Sequence, residues 1–196
     1  MIALRSKTPP EWAERSVARL PELLADHAVC ELQAAVYALS LVGDYPRDAA
    51  LVDRLSALAA EELRHFRKVS REARRHGAVP NSKRRNRYVH ALRAACRNGR
   101  EPERGLDLLL AAAIIEARSH ERFETLRPHV VDPRLARLYA ELARAEERHG
   151  PIYLELAESH AGPGEARRRL EELLEVEAAA LSGGGPREEI AVHARV

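Results

Sequence analysis

Apolar residues recur three and four positions apart along most of the chain, which is the period of an amphipathic helix. Gly and Pro residues divide this pattern into five long helices, with a short basic helix between the second and the third. The long helices are expected over about 21–42, 48–76, 102–126, 133–160 and 165–181, and the short one within 84–97. No run of β-branched residues alternates as a strand would. The pattern therefore predicts an all-α protein.

The connection between the second and third long helices is about thirty residues long. Two helical hairpins joined by a long crossover are typical of ferritin-like bundles, whereas a plain up-and-down bundle has three short loops. We therefore expect a ferritin-like four-helix bundle with extra short helices, forming a single domain over residues 1–181. The segment SGGGP begins a C-terminal tail, residues 182–196, that we expect to be flexible.

Two of the predicted helices carry a Glu-x-x-His pair on their apolar face. Glu62 and His65 lie on the second helix, and Glu146 and His149 on the fourth, each pair in line with leucines and other apolar residues. Residues three apart on a helix stand side by side, so both side chains of a pair can bind one metal ion. A carboxylate is costly to bury without a partner, which favours a metal at these positions.

The first and third helices each add one glutamate to an apolar face, and the combined set repeats. Residues 31, 62 and 65 correspond to residues 116, 146 and 149 at an offset of 84 or 85 positions, which indicates a repeated helical hairpin. Four glutamates and two histidines in this pattern are typical of di-iron and di-manganese proteins. An ordinary buried ion pair explains one Glu-x-x-His pair, but not the matched set of Glu31, Glu62, His65, Glu116, Glu146 and His149.

Several residues near these positions have two open interpretations. His120, one turn after the glutamate of the third helix, either supports the site or is a histidine at the edge of the core. Tyr139 and Tyr153 either donate hydrogen bonds to the site or pack against it. Asp26 and His27 either orient ligands or make a local polar contact.

Charge is unevenly distributed, although the net charge is only +2. Between Arg64 and Arg104 there are fourteen Lys or Arg residues and three acids. This asymmetry indicates an anionic partner, and a solvated arginine-rich face explains it equally well. Cys30 and Cys96 lack CxxC spacing and suit a reducing cytosol as free thiols. No apolar stretch predicts a membrane span or a signal region.

The segments DHAVCELQAA, AAEELRHF, IIEARSHERF and AEERH, in this order and spacing, resemble the MiaE family of ferritin-like di-iron tRNA hydroxylases. The resemblance covers roughly residues 8–160, and EARSxERF is its most specific element. It implies that two iron ions, or manganese, use dioxygen and an unidentified electron donor to hydroxylate the isopentenyl group of modified adenosine 37 in tRNA. The six residues of the matched set would be the metal ligands, with Glu62 and Glu146 bridging the two ions.

The resemblance also gives the basic connector a function, because tRNA must be held by phosphate contacts. Arg84, Arg85 and Arg87 are the candidates for these contacts. Arg118, within EARS, is a candidate for an ion pair that stabilises the site. Pro151, just after the last histidine ligand, is a candidate for a helix kink. We expect a cytoplasmic enzyme without a membrane partner, and its oligomeric state stays open.

Three other functions stay open at this point. A ferritin-like iron-handling or peroxide-scavenging protein would use the same ligands without a nucleic acid. A metal-free helical interaction domain would keep the fold and bind no iron. A related enzyme acting on a small alkyl or fatty substrate would use the apolar core. The basic connector and EARSHERF favour the tRNA hydroxylase over all three.

Overall fold

The computed structural model describes residues 2–81, 86–182 and 192. Within these ranges the chain forms seven α-helices and one 3-10 turn, Arg127–His129, and no strand. The helices are α1 (Pro10–Ala18), α2 (Leu20–Asp44), α3 (Ala49–Arg75), α4 (Arg87–Ala95), α5 (Glu103–Leu126), α6 (Pro133–Ala161) and α7 (Pro163–Ser182). The all-α prediction is confirmed. None of these helices combines the length and the apolar character that crossing a membrane requires.

Caps define the ends of the helices that carry the Glu-x-x-His pairs. The Asp48 side chain accepts a hydrogen bond from the Leu51 backbone N–H at 3.0 Å at the start of α3. The Asp132 side chain caps α6 in the same way, and Pro133 follows at the first helical position. After α3, Gly77 adopts a φ of 74°, the left-handed conformation that glycine tolerates best. The predicted helix limits therefore agree with the structure to within one or two residues.

The chain divides into two compact units. One unit contains the described residues 15–81 and 192, and its core is the hairpin of α2 packed on α3. The other contains the described residues 2–14 and 86–182, where α5 packs on α6 and both contact α7. The short loops within each hairpin make its two helices antiparallel neighbours. Each unit therefore contains one of the two predicted hairpins.

The single domain expected over residues 1–181 stays a prediction, as does the flexible tail at 182–196. Ser182 is the last residue of α7. Residues 183–191 and 193–196 lie outside the described part of the chain. Val192 is buried, and its backbone N–H donates a hydrogen bond to Asp26 Oδ2 at 2.8 Å.

The sequence pattern does not predict α1, which is only nine residues long. So short a segment contains too few turns for a clear helical period. α1 nevertheless contributes side chains to the apolar core, because Trp12 is 2 % exposed and Ala13 is fully buried.

Candidate metal centre

Three of the predicted ligands lie together on the α2–α3 hairpin. Glu31 projects from α2, and Glu62 and His65 from α3, with ligand atoms within 4.8 Å of one another. His65 Nδ1 is 3.3 Å from Glu62 Oε2 and 3.5 Å from Glu31 Oε2. All three residues are at least 96 % buried. We call these three residues the α2–α3 half-site.

His27 lies one turn before Glu31 and contacts it directly. Its Nε2 is 2.6 Å from Glu31 Oε1, and the histidine is fully buried. Asp26 has different partners, since its carboxylate accepts the Val192 N–H and lies 3.8 Å from Cys30 Sγ. Of these two residues, His27 is therefore placed to orient a predicted ligand, and Asp26 makes local contacts.

The hydrogen bonds in this half-site outweigh the effect of burial on its titratable groups. Burial by itself raises the pKa of Glu31, but hydrogen bonds with His27 and then His65 bring that pKa well below its ordinary value. Burial by itself lowers the pKa of His65, but hydrogen bonds with Glu31 and Glu62 raise it to about 9. The carboxylates therefore recruit a positive charge from His65 at neutral pH, a role that a divalent cation fulfils with more charge.

The α5–α6 half-site repeats this arrangement in the other unit. Glu116 projects from α5, and Glu146 and His149 from α6, again with ligand atoms within 4.8 Å of one another. His149 Nδ1 is 3.4 Å from Glu146 Oε2. Glu116 is 5 % exposed, Glu146 3 % and His149 1 %. The pseudo-repeat seen in the sequence therefore corresponds to two similar half-sites, one on each hairpin.

The donor chemistry of the half-sites fits a pair of divalent transition-metal ions. Each half-site offers two carboxylates and one imidazole, which suit iron and manganese. Four carboxylates balance the charge of two divalent ions. Carboxylates this deeply buried are rare in proteins unless they are paired or coordinate a metal. The residues present thus fit the metal pair that the sequence pattern predicts.

The side chains around the α5–α6 half-site mainly join the two helices. His120 Nδ1 lies 2.8 Å from the carbonyl oxygen of Ala143 on α6, which agrees with a histidine at the edge of the core. Tyr139 packs against Phe123 with ring centroids 5.7 Å apart. Tyr153 is also buried, 1 % exposed. The His120 and Tyr139 contacts hold α5 against α6.

Pro151 lies inside α6, which continues as one helix from Pro133 to Ala161. Gly150 is buried against α5, where a Cβ would lie 3.5 Å from the Ala113 carbonyl oxygen, an ordinary contact distance. Pro151 has no N–H, so the carbonyl of Glu147 loses its usual helical donor. α6 therefore continues through Gly150 and Pro151, which follow His149 directly.

Arg118 does not pair with the predicted ligands. The guanidinium is fully buried, with Nε 2.8 Å from Glu177 Oε1 on α7 and Nη1 2.9 Å from Glu121 Oε2. Nη2 donates a hydrogen bond to the Ser6 carbonyl oxygen at 3.1 Å. Arg118 therefore forms ion pairs, as the sequence suggested, but its acidic partners lie on α7 and one turn along α5 and are not predicted ligands.

The second arginine of EARSHERF, Arg122, is also fully buried and lies with Cζ 5.0 Å from the centroid of the Trp12 ring. Burial and the neighbouring Arg118 charge lower the pKa of Arg122 to about 10. The most specific element of the sequence therefore joins α5 to α7 and to the N-terminal segment. Two arginines four apart on a face that is otherwise apolar are the signal that would have revealed this network.

The predicted tRNA contacts have a different outcome. Arg84 and Arg85 lie outside the described residues. Arg87 is the first residue of α4 and is exposed, as a phosphate contact requires. All three stay predictions.

Comparison with known proteins gives a consistent result. The family model described as "tRNA-(MS[2]IO[6]A)-hydroxylase (MiaE)" matches residues 1–194. A Pseudomonas putida protein named "tRNA 2-(methylsulfanyl)-N(6)-isopentenyladenosine(37) hydroxylase" is 40 % identical over 164 residues, covering 84 % of this chain and 79 % of that protein. A Salmonella typhimurium protein of the same name is 33 % identical over 205 residues, covering 79 % and 75 %.

One solved structure is also similar over nearly the whole chain. It is named "Protein 43 with aldehyde deformylating oxygenase activity from Synechococcus" and is 37 % identical, with a TM-score of 0.92. The match covers 99 % of this chain and 96 % of that one.

Proposed function

This chain belongs to the MiaE family, and on that premise we propose that it hydroxylates the isopentenyl group of 2-methylthio-N6-isopentenyl-adenosine at position 37 of tRNA. Its fold is all-α and ferritin-like, as the two hairpins and the similarity to the Synechococcus oxygenase show. The observation that carries the proposal is the buried Glu, Glu, His half-site, which is complete on both hairpins.

The six residues of the two half-sites would hold two iron ions, for which manganese is the chemical alternative. When bound, the metal pair would supply the activation of dioxygen: one oxygen atom enters a C–H bond, and the other leaves as water with two electrons from an external donor and two protons from solvent. Glu31 is held for this purpose by His27, since their side chains are 2.6 Å apart. The carboxylates also balance the metal charge inside a buried site, and burial excludes bulk water.

The partners of the enzyme are tRNA and an electron donor that is still unidentified, and the proposed location is the cytoplasm, where tRNA is modified. The iron-handling or peroxide-scavenging alternative shares the half-sites but is not favoured by the family membership. One observation favours the alkyl-substrate alternative: the Synechococcus protein is named for an oxygenase activity on aldehydes. The experiment below separates these functions by their products.

The test is single-turnover hydroxylation. The protein is loaded with Fe(II) and mixed with a reductant, ¹⁸O₂ and tRNA that carries the methylthio-isopentenyl group, and the digested nucleosides are analysed by mass spectrometry. We expect one ¹⁸O atom on the isopentenyl-adenosine. The Glu146→Ala variant should lose this product. Its matched control is Glu147→Ala, which removes the neighbouring exposed glutamate and should keep the product.

A protein that holds two irons and leaves the tRNA unchanged would overturn the proposal. Turnover of peroxide or of a long-chain aldehyde by that same preparation would then assign it to the iron-handling or to the alkyl-substrate alternative.

A further inference from the structure

One exposed face of α3 carries a continuous row of positive charge. Six cationic residues follow one another at helical spacing on its C-terminal half: Arg64, Arg67, Lys68, Arg71, Arg74 and Arg75. We call this row the α3 basic stripe. The five arginines are exposed, and Lys68 is half-buried. Only one acid, Glu72, interrupts this segment of the sequence, and it is buried and paired with Arg75.

The geometry of the helix places the stripe on a single face. At 3.6 residues per turn, the six side chains lie within about 120° of the helix circumference. Glu62 and Val69, both buried, lie on the opposite side. The stripe extends about 16 Å along the axis at 1.5 Å per residue. The helix that supplies two predicted ligands on its buried face therefore presents a mainly basic face to solvent, with half-buried Glu61 and exposed Leu63 at its edges.

Helix stability does not explain the stripe. Cations in the last turn favour the helix dipole, which accounts for Arg74 and Arg75 but not for Arg64, Arg67 and Arg71 further from the end. Like charges three or four apart repel each other and destabilise a helix by a few tenths of a kcal/mol per pair. Across residues 2–81, 86–182 and 192, no carboxylate pairs with Arg67, Arg71 or Arg74. Such a surface is suited to an external polyanion.

A second exposed helix face shows what an ordinary solvated surface of this protein looks like. On α6, exposed Arg134, Arg137 and Arg144 share their surroundings with exposed Glu141 and Glu147. Charges of both signs alternate there, as they do on most soluble helices. The α3 basic stripe is different in kind, because it lacks exposed acids over three turns.

We propose that the α3 basic stripe binds the phosphate backbone of the tRNA substrate. This inference rests on the proposed function, which supplies the polyanion. Arginine forms bidentate hydrogen bonds with phosphate, and five of the six residues are arginines. A stripe about 16 Å long can contact more than one consecutive phosphate of a strand. The stripe reads no base, so it holds the tRNA without selecting a sequence.

The test measures equilibrium binding of the modified tRNA by fluorescence anisotropy over a range of salt concentrations. The variant removes three charges, Arg67→Gln, Arg71→Gln and Arg74→Gln. The matched control removes three from α6, Arg134→Gln, Arg137→Gln and Arg144→Gln. We expect the stripe variant to bind about tenfold more weakly or worse at 0.15 M salt, with the log–log salt slope reduced by about 2 to 3. The control should bind like the parent.

The other outcomes are equally informative. Unchanged binding by the stripe variant, with a parent that binds and hydroxylates tRNA, would overturn the inference and leave the proposed function standing. Equal losses in both triple variants would also overturn it, because net charge alone would then be responsible. A parent that neither binds nor hydroxylates tRNA would overturn both proposals.

A further experiment measures binding of the parent and the stripe variant to vesicles of phosphatidylcholine and phosphatidylglycerol. Stripe-dependent vesicle binding by a parent that does not bind tRNA would assign the surface to a membrane and overturn the inference. Iron content and thermal melting of each variant are measured alongside. Both should match the parent, because the substituted side chains are exposed.

Discussion

The α2–α3 and α5–α6 half-sites contain the same predicted ligands but have different neighbouring side chains. On α2, His27 contacts Glu31 directly, whereas the corresponding position on α5 is Ala112. On α5, Arg118 and Arg122 instead join the helix to α7 and to the N-terminal segment. The two half-sites therefore share the same predicted ligand set and differ in the side chains that surround it.

The largest expected effect tests the feature that the half-sites share. His65→Ala and His149→Ala each remove one imidazole from one half-site, and both should lower hydroxylation at least about 100-fold, since a missing ligand costs more than the 10–100-fold typical of a supporting residue. Iron stoichiometry should fall toward about one per chain in each variant. His120→Ala, which removes a half-buried histidine that is not a predicted ligand, serves as the control. Two bound irons in either ligand variant would contradict the assignment.

The next largest effect is expected from breaking the buried Arg118–Glu177 ion pair, which joins α5 to α7. Glu177→Ala leaves the guanidinium of Arg118 buried without its main partner, and it should destabilise the protein by about 3–5 kcal/mol. Urea unfolding followed by circular dichroism measures the change. Glu175→Ala, on the same helix but with a side chain 69 % exposed, should stay within about 0.5 kcal/mol of the parent. Similar losses in both variants would mean that the Arg118–Glu177 pair has no special role.

A smaller effect is expected from removing His27, which contacts Glu31 in the α2–α3 half-site. His27→Ala should weaken binding of one metal ion by about 10–100-fold, because a residue that orients a ligand typically contributes that much. The second ion should bind as in the parent. Titration with Fe(II) under anaerobic conditions measures both steps. His27→Gln keeps a hydrogen-bond donor and should recover part of the affinity, whereas equal weakening of both ions would argue against a local role.

The smallest effect concerns pH and the metal-free protein. The pKa of His65 is about 9 in the folded chain, above the ordinary value of 6.5. A raised pKa stabilises the folded state below pH 6.5, and that stabilisation is lost as the pH rises through 9. The free energy of unfolding of the metal-free protein should therefore fall between these pH values. His65→Ala should show a shallower fall, and an equally steep fall would rule out this histidine as the cause.

Much of the fold and of the candidate site follows from local periodicity. The apolar stripes of α2, α3, α5 and α6 and the caps at Asp48 and Asp132 are patterns within a few residues of each other, so helix limits can be predicted closely. Glu62 with His65, and Glu146 with His149, are neighbours by helical geometry alone. His27 and Glu31 are also one helical turn apart. The sequence allowed His27 to contact Glu31, but it equally allowed a different local polar contact.

The long-range partners depend on packing that periodicity does not specify. Arg118 lies 59 positions from Glu177 and 112 from Ser6, and no pattern in the sequence selects those partners among the many charged residues. The same holds for Arg97 and Arg169, which both pair with buried Asp107. The sequence by itself determined the helices, the hairpins and which Glu and His residues share a buried face as predicted ligands, because helical geometry brings nearby positions to one face. Only the tertiary structure decided which buried charges pair, because that depends on which helices pack together and at what register.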